Sequence, residues 1–136
     1  MQIHRYRNAQ QVGHAAAILI GAQLLHKPNS VLGLATGSSP IPTYRQLIRL
    51  YEGGVLDFSR ATAFNLDEYC RLPVENPCSY RYFMKQELFD HVNFAPGHTN
   101  IPDGNAADMP AECARCDQAI VDAGGIDLQL LGIGRN

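Results

Sequence analysis

The chain has 136 residues, of which 46% are hydrophobic and 18% are charged, so it is long enough for one domain with a packed core. Its formal net charge of −2 gives no electrostatic basis for binding nucleic acid or an anionic membrane. No apolar run approaches the ~20 residues of a membrane span, and the N-terminus lacks the apolar block of a signal peptide. These features predict a cytoplasmic protein with no membrane or nucleic-acid partner.

The predicted elements begin with a short strand and a long helix. Residues 3–6 are predicted to form a short first strand. Asn8, with Gln11 three places later, matches a helix N-cap and capping-box pair. The apolar helix that follows is expected to end before Pro28.

Two continuous apolar runs predict buried strands with a helix between them. Residues 31–35 and 62–66 have strand length, and such runs are typical of parallel strands buried on both faces. Between them, Ser39 is expected to cap a helix whose first residue is Pro40. This helix is expected to end at the glycine pair of positions 53 and 54.

The rest of the chain continues the alternation of strands and helices. A polar loop spans residues 70–78, Ser79 is expected to cap a third helix, and a short strand is expected near residues 99–101. A helix over residues 109–123 and a strand over residues 126–131 follow. The alternation predicts an α/β fold with a mostly parallel sheet flanked by helices, built by residues 1–136 as one domain.

The last predicted strand leads into a glycine-rich segment, residues 132–136, with no helix after it. A parallel strand left uncovered would expose apolar surface and a backbone edge. We therefore expect the C-terminal part of the domain to be absent from this sequence.

The cysteines and histidines predict no metal site. Cys113 and Cys116 are spaced like a metal or redox pair, but they share one helix face with apolar residues, which favours two buried core side chains. A second pair that would complete a zinc site is missing from the sequence. Cys70 and Cys78 fall in the polar loop, and the five histidines show no metal-ligand spacing.

A hydroxyl-rich loop joins the strand at residues 31–35 to the next helix. It contains Thr36, Gly37, Ser38 and Ser39. Free N–H groups at a helix start favour an anion, and the hydroxyls can add hydrogen bonds, so a phosphate ester is the expected ligand. The loop lacks the lysine of a Walker sequence and the spacing of a dinucleotide loop. An ordinary Ser-Pro capped turn is the alternative.

Two adjacent carboxylates, Asp67 and Glu68, follow the strand at residues 62–66. Ligands of open α/β sheets bind outside the carboxyl ends of the strands, and a partly desolvated carboxylate there is a candidate general base. The alternative is that one acid merely caps a turn. Because the hydroxyl-rich loop ends the preceding strand, both features are expected to converge on one ligand.

Three motifs, in order, resemble glucosamine-6-phosphate deaminases: LATGSSP at residues 34–40, FNLDEY at 64–69 and LGIGRN at 131–136. The resemblance covers essentially the whole chain. It implies a Rossmann-like fold and the conversion of glucosamine 6-phosphate and water into fructose 6-phosphate and ammonia, with no metal or organic cofactor. A sugar phosphate is then the small-molecule partner, and a homo-oligomer stays open.

The resemblance also implies roles for particular residues. Residues 36–39 would cradle the sugar phosphate, and Asp67 would move a proton between C2 and C1 of the opened sugar. Asn136 matches a position that assists ring opening. Some members carry aspartate there, so the asparagine of this chain would act by hydrogen bonding and not through a charge. Glu68 is then expected to be structural.

In that family, the ring-opening histidine and the basic phosphate ligands lie in sequence that would follow residue 136. The chain thus resembles the N-terminal half of such an enzyme, and negligible activity is expected of it alone. The rivals are 6-phosphogluconolactonase, which usually has arginine where this chain has Tyr69, a non-catalytic sugar-phosphate-binding module, and an inactive fragment.

Overall fold

The computed structural model describes residues 1–133. Helices and strands alternate along it: α1 (Ala9–His26), β1 (Val31–Leu34), α2 (Ile41–Glu52), β2 (Thr62–Asn65), α3 (Tyr80–Glu87), a 3-10 turn (Phe89–His91), β3 (Thr99–Asn100), α4 (Met109–Asp122) and β4 (Leu128–Gln129). Within these residues, no helix is long and apolar enough to cross a membrane.

The four strands form one parallel sheet in the order β3-β2-β1-β4. All four residues of β1 are buried, as expected for a central strand made of a continuous apolar run. Since crossover connections are right-handed, α2 and α4 cover opposite faces of this sheet. The predicted α/β fold with a parallel sheet flanked by helices is confirmed.

The core lies mainly between the sheet and the pair formed by α1 and α2. These helices approach closely at Gly13, where an added Cβ would lie 2.5 Å from the Cβ of Pro42. Tyr44, Leu47 and Phe58 are the large side chains at the centre of this core. The close helix crossing sets the position of α2 and of the loop that precedes it.

Two of the three predicted helix caps are confirmed. Asn8 Oδ1 accepts from the N–H of Gln11 at 2.9 Å, and the hydroxyl of Ser79 accepts from the N–H of Tyr82 at 3.0 Å. The prediction for α2 is wrong, because Pro40 occupies the N-cap position and no side chain caps this helix. The exposed Ser39 side chain is therefore not used as a cap.

The predicted first strand is wrong. Residues 1–8 form no strand, and Ile3 is 74% exposed. Strands require a hydrogen-bonded neighbour, and the edges of the sheet in the described part of the chain are β3 and β4. The local sequence of residues 3–6 carried no information about a pairing partner.

The predicted burial of the paired cysteines is also wrong. Cys113 is exposed and Cys116 is only partly buried, and no residue of α4 is fully buried. The helical face itself is oriented as expected, because Cys116 and Ile120 line a cavity of about 60 Å³ with Phe64 of β2. Within residues 1–133, α4 lies on this side of the sheet without a second helix packed against it, so the face is only half covered.

Candidate active site

The order of the strands places the hydroxyl-rich loop at a switch in the topology of the sheet. The chain proceeds from β1 to β2 to β3 and then returns to the other side of β1 for β4. Crevices at the carboxyl ends of strands open at such switch points. The loop of residues 36–39 leaves β1 at this point, with Asp67 beyond the end of neighbouring β2.

The backbone of this loop leaves hydrogen-bond donors free for a ligand. Gly37 has φ +89°, a conformation that side-chain-bearing residues rarely adopt, and it is exposed. The N–H groups of Gly37, Ser38 and Ser39 donate to no backbone carbonyl of the described residues. Ser38 and Ser39 are exposed as well. Next to the start of α2, these groups can receive an anion.

A buried tyrosine fixes the start of the loop. The hydroxyl of Tyr44 accepts a hydrogen bond from the N–H of Ala35 at 3.1 Å and donates one to the Ala35 carbonyl. Burial raises the pKa of Tyr44, so its hydroxyl stays protonated. The sequence did not single out Tyr44 as a site residue. Its hydroxyl in fact forms hydrogen bonds with both the N–H and the carbonyl of Ala35, which precedes Thr36.

A buried amide joins the ends of the two central strands. Asn65 Nδ2 donates to the carbonyl of Leu34 at 2.9 Å, and these two residues are also partners in the strand register. Asn65 Oδ1 is buried without a partner among the residues described. The loop after β1 and the acid pair after β2 therefore start from ends that are tied together.

The environment of Asp67 suits a base. Partial desolvation, with a smaller contribution from the negative charge of Glu68, raises the pKa of Asp67 above its usual range. Asp67 lines a cavity of about 230 Å³ between the β2 end, residues 102–104 and α4; residues 36–39 are not among its lining residues. The cavity therefore borders Asp67 on a side that the hydroxyl-rich loop does not line.

Glu68 has a different environment from its neighbour. Its Oε1 accepts from the N–H of Tyr80 at 2.8 Å and from the N–H of Tyr69, also at 2.8 Å, while Oε2 accepts from the N–H of Arg81 at 2.9 Å. The carboxylate therefore satisfies the free N–H groups of the first turn of α3. These bonds support the structural role expected of Glu68.

Two tyrosines, Tyr69 and Tyr80, lie near the proposed site but were not identified as site residues from the sequence. The rings of Tyr69 and Tyr80 lie 4.8 Å apart, and their hydroxyls are 3.4 Å apart. The hydroxyl of Tyr69 and partial burial raise the pKa of Tyr80, and the nearby side chains of Thr36 and Asp67 have smaller, opposing effects on it. Tyr80 is thus close to both predicted parts of the site.

A second loop supports the segment after Glu68. A Cβ added to Gly104 would overlap the carbonyl oxygen of Tyr69, and the Gly104 carbonyl accepts from the N–H of Arg71 at 2.9 Å. Asn105 Nδ2 donates to the carbonyl of Leu72 at 2.8 Å. The loop after β3 therefore braces the chain that carries Tyr69.

The remaining predicted site residue is Asn136, which lies outside the described residues. Within residues 1–133, no cluster of three or more histidine, cysteine or acidic side chains is arranged to hold a metal ion.

Known proteins resemble this chain over its whole length. A deaminase of glucosamine 6-phosphate from Halothermothrix orenii is 51% identical over 136 residues, which cover 100% of this chain and 56% of that relative. One from Clostridioides difficile is 54% identical over 121 residues, covering 89% and 49% respectively. The chain therefore spans about half the length of the curated relatives it matches.

Solved structures also resemble this chain. A structure described as a monomeric glucosamine-6-phosphate deaminase matches with a TM-score of 0.96 and 43% identity, over 100% of this chain and 56% of that one. A 6-phosphogluconolactonase from Thermotoga maritima matches with a TM-score of 0.78 but only 19% identity, over 98% and 59%, which shows a common fold alone. The family described as glucosamine-6-phosphate isomerases/6-phosphogluconolactonase matches residues 6–136, so this chain belongs to that family.

Proposed function

We propose that the protein carrying this chain is a glucosamine-6-phosphate deaminase, which converts glucosamine 6-phosphate and water into fructose 6-phosphate and ammonia. Residues 1–136 are the N-terminal part of its single α/β domain. The observation that carries the proposal is the position of Asp67, a carboxylate with a raised pKa, just beyond the end of β2, which pairs with the strand that the hydroxyl-rich loop follows. Relatives at about half identity over the same residues carry this name.

The loop after β1 binds the phosphate group in this proposal. Its free N–H groups and the hydroxyls of Thr36, Ser38 and Ser39 donate hydrogen bonds to phosphate oxygens, and Gly37 lets the backbone approach closely. The start of α2 adds a favourable dipole. Tyr44 holds the start of the loop in place through its two hydrogen bonds with the backbone of Ala35.

Asp67 is the base of the isomerisation step. Its carboxylate takes the proton from C2 of the ring-opened sugar, and the released electron pair forms a C1–C2 double bond as the C1 carbonyl π bond breaks and its oxygen takes up a proton. The proton held by Asp67 then returns to C1 while the amine lone pair forms a C–N double bond at C2 and the nitrogen gives up a proton. The product is an imine at C2, which water converts to the ketone with release of ammonia. A raised pKa makes the carboxylate a stronger base.

The remaining parts of the proposal concern ring opening and the setting of the reaction. Asn136 assists ring opening by hydrogen bonding, and the acid/base group for that step comes from sequence beyond this chain. We propose no metal and no organic cofactor, a cytoplasmic location and a sugar phosphate as the small-molecule partner. The 136-residue polypeptide alone is expected to release negligible ammonia.

The test follows ammonia release from glucosamine 6-phosphate by the complete protein. Asp67→Asn is expected to lower kcat by about 10²- to 10⁴-fold, the range typical of a general base. Asp90→Asn is the matched control, because this exposed acid of the 3-10 turn lies outside the proposed site. Full activity in Asp67→Asn would overturn the assignment of the base.

Two other results would overturn the proposed function itself. Hydrolysis of 6-phosphogluconolactone without ammonia release would identify a lactonase. Binding of glucosamine 6-phosphate with no turnover of either compound would identify a non-catalytic sugar-phosphate-binding module.

A further inference from the structure

A groove between α1 and α2 collects positive charge at a place that the proposed reaction does not use. Its volume is about 150 Å³, and its lining residues are Gln10, His14, Pro42, Arg45, Gln46 and Arg49. We propose that this groove is a second anion site, which binds a phosphate group through Arg45, Arg49 and His14. The inference does not depend on the proposed deaminase activity.

The close crossing of α1 and α2 builds the groove. An added Cβ on Gly13 would lie 2.5 Å from the Cβ of Pro42, which itself lines the groove, so the two helices touch beside it. Residues one helical turn apart lie next to each other on a helix surface. Each helix contributes such a pair of polar residues to the lining: Gln10 and His14 from α1, and Arg45 and Arg49 from α2.

The charge of the lining has one sign. No acidic side chain is among the residues that line the groove, and α1 contains no aspartate or glutamate. The single acid of α2 is its last residue, Glu52, which lines a separate cavity. Although the whole chain has a net charge of −2, the groove between these two helices therefore favours an anion.

The two arginines have no counter-ion within residues 1–133. No carboxylate there lies within salt-bridge distance of Arg45 or Arg49. Both arginines also line the separate cavity with Glu52 and Glu87, but neither acid pairs with them. Like charges one helical turn apart repel each other, and an anion bound by both guanidinium groups replaces that repulsion with two attractive contacts.

A phosphate group matches the donors of this groove. A guanidinium has paired N–H donors in a planar fork that fits two phosphate oxygens, and the imidazole of His14 and the two glutamine amides supply further donors. The volume of about 150 Å³ equals roughly five water molecules, which is enough for a phosphate group. Because none of residues 36–39 lines the groove, it is separate from the loop proposed to bind the substrate.

The first test follows the ring signals of His14 by NMR while inorganic phosphate is added to the complete protein at constant pH. The signals are assigned by their loss in His14→Gln. They are expected to shift with increasing phosphate until the site is saturated. Sodium chloride at the same ionic strength should not reproduce this shift, because screening alone does not saturate a site. No saturable shift, or the same shift with sodium chloride, would overturn the proposal.

The second test removes one guanidinium at a time. Arg45→Gln and Arg49→Gln are each expected to raise the Kd for phosphate, read at His14, by about tenfold, as expected for the loss of a charge-assisted hydrogen bond. Both arginines are exposed, so neither substitution disturbs the core. Arg60→Gln is the matched control, because Arg60 is an exposed arginine outside the groove, and its Kd should not change. An equal Kd in all three variants would overturn the proposal.

A titration with glycerol 3-phosphate distinguishes the two sources of a phosphate group. Tighter binding than that of inorganic phosphate would identify the ligand as a phosphorylated metabolite. Equal or weaker binding would identify it as free phosphate.

Enzyme kinetics of the complete protein separate this groove from the proposed active site. In Arg45→Gln, KM for glucosamine 6-phosphate is expected to stay within about twofold of the unsubstituted value. A rise in KM equal to the loss of phosphate affinity would place the groove in the substrate site and overturn the proposal of a second site. Absence of ammonia release by the unsubstituted protein would overturn the proposed function but not the anion site, which the His14 signals test by themselves.

Discussion

The carboxylate of Glu68 accepts the N–H of Tyr80, the first residue of α3, at a distance of 2.8 Å. The residue beside the proposed base thus anchors the start of α3. Adjacent acids in the chain have separate tasks, because Glu68 points at free N–H groups while Asp67 faces a cavity. A shift of α3 would therefore be transmitted to the turn that holds Asp67.

Replacement of Glu68 by glutamine should destabilise the fold. Glutamine keeps one acceptor oxygen but loses the second, which receives the N–H of Arg81, and it loses the negative charge at the start of α3. A decrease of about 1 kcal/mol in the free energy of unfolding is expected, measured by urea denaturation of the complete protein. Glu75→Gln, an exposed acid of the same loop, is the control. Equal stability of the two variants would contradict the capping role.

The same substitution should move the pH dependence of activity. The charge of Glu68 is the second cause, after desolvation, of the raised pKa of Asp67. Removing that charge lowers the pKa of Asp67, and a base works in its deprotonated form, so the acid limb of the kcat/KM profile should shift to lower pH. The profile is measured with glucosamine 6-phosphate between about pH 4 and 8, around the ordinary carboxyl range. A shift to higher pH would be inconsistent with Asp67 as the titrating base.

Loss of the Tyr44 hydroxyl should weaken both the fold and substrate binding. In Tyr44→Phe, the N–H and carbonyl of Ala35 lose their partner in a partly buried setting. Unpaired groups of this kind cost about 1 to 3 kcal/mol, which urea denaturation would detect. KM for glucosamine 6-phosphate should rise because Ala35 directly precedes the loop that we propose binds the phosphate. Tyr51→Phe on the same helix is the control, since no hydrogen bond of the Tyr51 hydroxyl is found in the described part of the chain.

The sequence correctly predicted features that are set by residues close together in the chain. Buried runs at β1 and β2, and caps such as Ser79, are set by residues a few positions apart, so the fold class and the locations of the loop and of Asp67 followed from them. Relations between distant residues did not follow. Asn65 Nδ2 donates to the carbonyl of Leu34 from 31 positions away in the sequence, and no periodicity encodes that contact.

The burial of α4 illustrates a second limit. Helical spacing correctly indicated which side of α4 faces the sheet, but burial depends on how many layers cover that side. Cys113 is exposed for this reason, although it lies next to apolar positions in the helical pattern. The capping error at Ser39 has a different origin, since Pro40 takes the N-cap place and leaves the serine hydroxyl free.

Gly104 is expected to be the least tolerant glycine near the site. An added methyl group would overlap the carbonyl oxygen of Tyr69, a backbone atom that cannot move without displacing the segment from Asp67 to Arg71. Gly104→Ala should therefore lower the melting temperature by several degrees and reduce kcat/KM about tenfold or more, because Asp67 is carried on the displaced segment.

Gly21→Ala is the matched control for this change. Gly21 lies within α1, where a new Cβ would make ordinary contacts of 3.5 Å with Leu56. Because alanine has a higher helix propensity than glycine by about 1 kcal/mol, this variant should keep full activity and melt at the same or a higher temperature. If Gly104→Ala matched Gly21→Ala in melting temperature and kcat/KM, the loop after β3 would not be bracing the segment that carries Asp67.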